Sequence, residues 1–211
     1  MNNIGDSTFV DILLNNEYIK RSGWIRSLIE KQVIDASGDP IPWYAYPAID
    51  LLKDRISIEN GINISVFEFG CGFGTLWWAS KVHKVTIVEH DRAWYNKMVP
   101  QFPPNVRPIY RELVSGGEYC SITKSLLPIK YNIIIIDGRD RVNCCHHCIN
   151  SLTDDGVIIF DNSNREAYIP GREFLKKYGF KELRLYGFTP MVPIAENATS
   201  FFYKKNNCLG F

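Results

Sequence analysis

Two short segments of the sequence are apolar almost without interruption and end in aspartate: YNIIIID, residues 131–137, and VIIFD, residues 157–161. A strand with one solvated face alternates apolar and polar side chains, whereas a strand buried on both faces is apolar throughout. Strands buried on both faces are typical of parallel sheets that helices cover. These two segments therefore predict central strands of an α/β domain.

Further strands and helices alternate along the chain from about residue 62. This succession predicts a doubly wound α/β fold with a seven-stranded, mostly parallel sheet. The predicted strands are Ile62–Glu68, Lys84–Glu89, Val106–Tyr110, Tyr131–Asp137, Val157–Asp161, Lys181–Tyr186 and Ser200–Lys204. The predicted helices between them span 75–82, 91–99, 141–152 and 165–178.

The first sixty residues have a different pattern. Apolar residues recur at helical spacing over 18–35, a proline-rich bend follows over 37–47, and a short helix is expected over 48–56. We therefore divide the chain into a helical N-terminal cap, residues 1–60, and an α/β domain, residues 61–211.

Three glycines, Gly70, Gly72 and Gly74, directly follow the first predicted strand. Glycine costs backbone entropy, so its use here indicates a sharp turn or the close approach of a ligand. Ligands of open parallel sheets bind beyond the carboxyl ends of the strands. Glu89 ends the second predicted strand, where a carboxylate typically binds the two hydroxyls of a ribose. The glycines and Glu89 together predict a nucleotide-type site.

The pattern E-x-G-x-G-x-G, which begins at Glu68, together with the acid at Glu89, resembles motif I of the class I S-adenosylmethionine-dependent methyltransferases. The resemblance covers residues 62–204 and implies S-adenosylmethionine as cofactor, with Glu68 near its amino group, the glycine loop against it and Glu89 on its ribose. The candidate cofactor-binding residues are Glu68, Gly70, Cys71, Gly72, Gly74, Thr75, Glu89, His90 and Asp137. The alternatives are a glycine turn in an α/β protein that binds another ligand, and a nicotinamide enzyme, although the G-x-G-x-x-G motif of the latter needs the third glycine one residue later.

Asp137, Asp161 and Asn162 stand at the carboxyl ends of two neighbouring predicted strands. Their oxygen atoms suit a hard cation such as Mg²⁺. The arrangement resembles the metal site of catechol-type and sugar O-methyltransferases, and the wider pattern IDGRDRVNC…FDNSNRE also resembles uncharacterised bacterial methyltransferases. The alternatives are that Asp137 is a general base or a metal-free substrate contact, and that Asp161 and Asn162 form a helix N-cap.

Two further clusters allow more than one interpretation. Cys144, His147 and Cys148 are expected on the face of their helix that points away from the sheet, where they form an incomplete zinc site or are ordinary helix residues. The arginines that follow the two strand ends bind an anionic group of the acceptor, or else they pair with Asp140 or Glu166 at the surface; they are Arg139, Arg141 and Arg165.

The net charge of +1 gives no basis for nucleic-acid binding, and the N-terminus has no signal-peptide pattern. We therefore expect a cytoplasmic protein that binds no nucleic acid or membrane. The resemblance to the methyltransferases implies an enzyme that methylates a hydroxyl of a small molecule or saccharide, with a homodimer left open. The alternative from another class is a non-catalytic nucleotide- or partner-binding domain of the same fold. Glu112 and Glu118 are both candidates for the adenine contact, and the sequence does not choose between them.

Overall fold

The computed structural model describes residue 11, residues 14–193 and residues 195–211. A seven-stranded sheet with the order β3-β2-β1-β4-β5-β7-β6 forms its centre. All pairs are parallel except those that β7 makes with β5 and β6. The strands are β1 Ser65–Phe69, β2 Lys84–Glu89, β3 Val106–Tyr110, β4 Tyr131–Ile136, β5 Leu152–Phe160, β6 Lys181–Gly187 and β7 Asn197–Tyr203. The predicted fold class is confirmed.

Strand β4 shows why the central strands lack alternation. Its side chains at Ile133 and Ile135 belong to the hydrophobic core on one face of the sheet. Ile134 and Ile136 belong to the core on the other face. Because both faces are covered, every position from Ile133 to Ile136 is apolar.

The helices depart from the predicted pattern at two places after β3. A helix, α7, lies at Glu118–Ser125 between β3 and β4, where none is predicted. Helix α8 ends at Cys148 and β5 begins at Leu152, so the predicted helix over 141–152 is too long. The helices are α1 Glu17–Ser22, α2 Trp24–Glu30, α3 Tyr46–Arg55, α4 Ile58–Gly61, α5 Phe73–Ala79, α6 Arg92–Met98, α7 Glu118–Ser125, α8 Arg141–Cys148 and α9 Ile169–Lys177.

The predicted single helix over 18–35 is two helices in the structure. They meet at Gly23, whose φ of 79° lies in the left-handed region. A Cβ atom there would lie 2.2 Å from the backbone carbon of Asp35, so the chain packs too closely for any side chain. The break turns α2 away from α1, and the chain after α2 folds back onto it.

The cap packs directly on the sheet. Ile49 and Leu52 of α3 are buried in the same core as Val66 of β1, and the backbone N–H of Ala45 donates to Oγ1 of Thr199 at 3.1 Å. Our division of the chain at residue 60 stays a proposal, since cap and sheet share one core. Residues 1–10, 12 and 13 of the cap lie outside the described residues.

Within the described part of the chain, no helix combines the length and apolarity needed to cross a bilayer.

Candidate cofactor and acceptor site

The strand order reverses between β1 and β4, and a cleft of about 1310 Å³ opens at the carboxyl ends of these strands. The loops that follow β1, β2, β4 and β5 line it together with α6, parts of the cap and residues 189–197. Ligand pockets usually enclose about 300–1,000 Å³. The cleft therefore has room for two molecules side by side.

The three glycines of the loop after β1 serve three different purposes. Gly70 has a φ of 101°, and a Cβ there would lie 3.2 Å from Cα of Gly138, so this glycine makes the turn against the β4 loop. Gly74 lies against the cap, since its Cβ would be 3.4 Å from Cα of Pro42. A Cβ on Gly72 would meet only the ring of Trp94, at 3.9 Å, and would otherwise enter open space.

Gly72 is thus the glycine that leaves space for a ligand. Its φ of 168° is extended backbone that any residue adopts, so conformation does not require glycine at this position. What a side chain would occupy here is the cleft itself.

Glu68 lies at the bottom of the cleft and is 4% exposed. Its Oε2 accepts a hydrogen bond from Oγ1 of Thr75 at 2.6 Å, and this hydroxyl oxygen accepts one from the backbone N–H of Gly72 at 3.0 Å. Burial raises the pKa of Glu68 to about 8, and the hydrogen bond from Thr75 opposes that rise. Thr75 itself is fully buried and does not line the cleft, contrary to its predicted role as a cofactor contact. It positions Glu68 instead.

Glu89, the last residue of β2, also lines the cleft. Its Oε1 accepts hydrogen bonds from the backbone N–H groups of His90 and Asp91, at 2.7 and 2.8 Å. Among the described residues, no donor is bonded to Oε2, which leaves that oxygen for a ligand hydroxyl. His90 also lines the cleft, with Nδ1 2.8 Å from Oε1 of Glu89. Glu89 and His90 thus both lie in the cleft, at the carboxyl end of β2.

Asp137 follows β4 and also lines the cleft. Its carboxylate accepts a hydrogen bond at Oδ1 from Nη2 of Arg141 at 3.0 Å, and the Asp137 side chain is 27% exposed. Burial raises the pKa of Asp137 to about 7, while the positive charges of Arg141 and Arg165 oppose the rise. Asp137 is thus a carboxyl group with a raised pKa beside an open cavity.

Arg141 lies inside the protein, between the ends of β4 and β5, and only 6% of it is exposed. Its guanidinium donates to the backbone carbonyls of Gly138, Asp161 and Asp137. A buried charge is tolerated only when it is paired and hydrogen-bonded. The sequence predicts an anion-binding or a surface role for Arg141, whereas the structure buries it as an internal cation.

Asp161 and Asn162 do not fit the predicted Mg²⁺ site. Oδ1 of Asp161 accepts hydrogen bonds from Thr199 and Asn197, at 2.6 and 3.1 Å, and Oδ2 accepts one from Nδ2 of Asn162 at 2.7 Å. The amide nitrogen of Asn162, rather than its oxygen, therefore faces the carboxylate. Arg141, which donates to the backbone carbonyls of both aspartates and to the carboxylate of Asp137, already supplies a positive charge there.

The cysteine-rich helix α8 likewise assembles no zinc site among the described residues. Cys144, Cys145 and Cys148 are all buried in the core on the α8 side of the sheet. The expectation that Cys144 and Cys148 point away from the sheet is wrong. Burial raises the pKa of each thiol, so these cysteines are core residues with little thiolate character.

Helix α6 supplies cleft residues that the sequence analysis missed. Trp94, Met98 and Gln101, the last of these just beyond the helix, line the cleft beside Glu89. Nε1 of Trp94 donates to the carbonyl of Cys71 at 2.8 Å and so fixes the ring over the glycine loop. Neither Glu112 nor Glu118, the two candidates for the adenine contact, lines the cleft. The sequence signal that could have identified these cleft residues is the run of large side chains that directly follows Glu89 and Asp91.

The architecture is shared with solved structures of low sequence identity. Precorrin-6y C5,15-methyltransferase from Geobacter metallireducens superposes with a TM-score of 0.56 at 11% identity, over 76% of this chain and 88% of that one. A precorrin 8w decarboxylase from Methanobacterium thermoautotrophicum gives 0.54 at 18% identity, over 82% and 97%. The N-methyltransferase NodS from Bradyrhizobium japonicum, solved with S-adenosyl-L-homocysteine, gives 0.51 at 12%, over 88% and 100%.

These likenesses show that the chain has the fold of class I methyltransferases. No family model matches the sequence, and no curated protein matches it. Since the similar structures include a decarboxylase, the fold alone does not determine the reaction.

Proposed function

We propose that this protein transfers a methyl group from S-adenosylmethionine to a hydroxyl of a small molecule or saccharide. The observation that carries the proposal is the set of groups that line the cleft at the carboxyl ends of β1 and β2. Gly72 leaves open space there, Glu68 is a buried carboxyl group, and Oε2 of Glu89 is unbonded among the described residues. A cofactor with an ammonium group for Glu68, a ribose for Glu89 and an aromatic base would fit this part of the cleft.

The residues fit the cofactor as follows. Glu68 would bind the ammonium group, Glu89 the ribose hydroxyls, and the loop from Gly70 to Gly74 would lie against the body of the molecule. Trp94 and Met98 provide the apolar surface that an adenine ring requires. When bound, S-adenosylmethionine would supply a methyl group on a sulfonium. The neutral thioether that remains after transfer is a good leaving group.

Asp137 is the residue that we assign to the acceptor. A hydroxyl becomes a better nucleophile as it loses its proton, and a base works best when its pKa lies near the working pH. Asp137, whose pKa is raised to about 7, would accept that proton. Arg141 holds both the carbonyl and the carboxylate of Asp137, so the base is oriented without a metal ion. The cleft supplies the rest by holding the two reactants together.

The acceptor would occupy the part of the cleft between the cap and residues 189–197. Trp43 on the cap, with 46% of its surface exposed, faces this space together with Met191 and Val192. The two walls are joined, since Nε1 of Trp24 donates to the carbonyl of Val192 at 3.1 Å and the N–H of Met191 donates to Ser27 at 3.0 Å. An aromatic and apolar wall suits the body of a sugar or small ring.

The test is transfer of labelled methyl from S-adenosylmethionine to a panel of hydroxyl compounds, with release of S-adenosylhomocysteine measured in parallel. Turnover that Asp137→Asn reduces by about 100-fold or more would support the assignment, since general-base catalysis contributes about 10²–10⁴. Cofactor binding without transfer to any acceptor would favour the alternative of a non-catalytic binding domain.

A further inference from the structure

Two of the three arginines that follow β4 and β5 have no structural task. Arg141 is buried and bonded to three backbone carbonyls. Arg139 and Arg165, by contrast, are exposed, and both line the cleft. The two positions stand in corresponding places, one in the loop after β4 and one in the loop after β5.

The sequence suggests Asp140 and Glu166 as surface partners of these arginines. In the described part of the chain, Asp140 bonds to other groups and Glu166 forms no ion pair. Oδ2 of Asp140 accepts from the backbone N–H of Gly116 at 2.8 Å, and its Oδ1 accepts from Asn143 at 2.8 Å. Within the described ranges, neither Arg139 nor Arg165 forms an ion pair, and Glu166 forms none either. The contact recorded for the Arg165 guanidinium is with the ring of Tyr168, at 6.0 Å.

Charge is distributed unequally along the cleft. The half above β1 and β2 contains the carboxylates of Glu68 and Glu89, which suit the ammonium and ribose of the cofactor. The half above β4 and β5 contains Asp137 and Asp161 together with Arg141, which bonds to both, and it contains two further positive charges, those of Arg139 and Arg165. The carboxylate of Glu196 also lines this half without pairing with either arginine, while Glu30 is paired with Arg26 at 2.6 Å.

We propose that the acceptor carries an oxyanion, a carboxylate or a phosphate, and that Arg139 and Arg165 bind it. The inference rests on the proposed methyl transfer, because it names the substrate class of the same site. Guanidinium groups bind carboxylate and phosphate through paired N–H donors, and both arginines have these donors unused. The anion would fix the acceptor with its hydroxyl toward Asp137, which follows the same strand as Arg139.

The test uses inorganic phosphate and acetate as probes. Each is titrated into protein saturated with S-adenosylhomocysteine, and the Nε–Hε signals of the arginines are followed by NMR. Arg139→Gln and Arg165→Gln assign the two signals, and both sites are exposed, so the fold should tolerate the changes. Arg107, which is exposed on β3 and does not line the cleft, provides the matched control Arg107→Gln.

We expect saturable shifts of the Arg139 and Arg165 signals with at least one probe, and none at Arg107. The double variant R139Q/R165Q should bind that probe at least tenfold more weakly, and R107Q should bind it normally. A response to phosphate alone assigns a phosphate group, and a response to acetate alone assigns a carboxylate.

Three results would overturn the inference: no saturable shift, equal binding by the double variant, or a tenfold loss of S-adenosylhomocysteine affinity in that variant, which would assign the arginines to the cofactor. The titration is repeated without S-adenosylhomocysteine. Protein that binds phosphate at these arginines but never binds the cofactor would refute the proposed function and retain the anion site. The reverse result would refute the anion site alone.

Discussion

Nη2 of Arg141 donates hydrogen bonds to two oxygens of Asp137, the backbone carbonyl at 2.6 Å and the carboxylate Oδ1 at 3.0 Å. The same guanidinium also donates to the backbone carbonyl of Asp161, so one side chain joins the ends of β4 and β5. This is the edge of the sheet at which the sequence predicts a divalent cation. The protein supplies a cation of its own there.

Replacing Arg141 with methionine should destabilise the fold strongly. Arg141→Met keeps an unbranched apolar stem but leaves three backbone carbonyls without their donor and removes the charge that balances Asp137. Loss of one partner of a buried pair costs about 3–5 kcal/mol. Urea denaturation should show a decrease of that size in the free energy of unfolding. The control is Arg165→Met in the same cleft, which should change stability by no more than about 0.5 kcal/mol; equal effects of the two changes would refute the internal role of Arg141.

Magnesium should neither stabilise the protein nor be required by it. A ligand present at 100 times its dissociation constant stabilises a fold by about 2.7 kcal/mol. Thermal unfolding should therefore give the same midpoint in EDTA and in excess MgCl₂, and turnover should be equal in both. A saturable, Mg²⁺-dependent rise of the midpoint that Asp161→Ala abolishes would restore the metal site.

Gly70 and Gly72 should respond in opposite ways to a side chain. Gly72→Val should leave stability nearly unchanged, because the extended backbone accepts valine and the Cβ enters open space. It should abolish cofactor binding by filling the cleft. Gly70→Ala should destabilise the protein by about 1 kcal/mol or more, since its φ is positive. Chemical denaturation and calorimetry on both variants check the pair, and normal cofactor affinity in Gly72→Val would show that the ligand does not contact this loop.

Glu68 should make stability and cofactor binding depend on pH. The pKa of Glu68 is raised to about 8, above its value in the unfolded chain, so the folded state holds a proton that the unfolded state releases. The free protein should therefore lose stability as pH rises from about 4.5 to 8. Glu68→Gln, which is always neutral, should lose less over that range, and unfolding experiments at pH 5 and pH 8 compare the two.

The same carboxyl should release its proton when an ammonium group binds beside it. At pH 7 the free protein carries this proton for most of the time, so cofactor binding should release close to one proton. Calorimetry in two buffers of different ionisation enthalpy measures the number. Equal proton release by wild type and Glu68→Gln would exclude Glu68 from the ammonium site.

The sequence predicts the sheet well because its signals are local and periodic. The apolar runs end within a residue of β4 and β5, and Glu89 ends β2 as expected. The break at Gly23 was not predictable, because it depends on the close approach of Asp35. The end of α8 at Cys148 was missed because no glycine or proline marks it.

The cofactor half of the site was easier to predict than the acceptor half. Glu68, Glu89 and the glycines form a motif within one βαβ unit, so their spacing is fixed by local structure. Asp161 depends instead on Thr199 and Asn197 of β7, which lie far away in sequence. Nothing in the sequence distinguishes the buried Arg141 from Arg139 or Arg165, because tertiary packing alone decides which arginine is enclosed.

The central claim is that the cleft binds S-adenosylmethionine, and calorimetric titration of the purified protein with S-adenosylmethionine and separately with NAD tests it most directly. We predict one S-adenosylmethionine per chain and no binding of NAD. Glu89→Gln, which can still accept the backbone N–H groups but lacks the charge at Oε2, should bind S-adenosylmethionine with about tenfold to 100-fold lower affinity, since a hydrogen bond to a charged group contributes about 1.5–3 kcal/mol. Binding of NAD with none of S-adenosylmethionine would contradict the account.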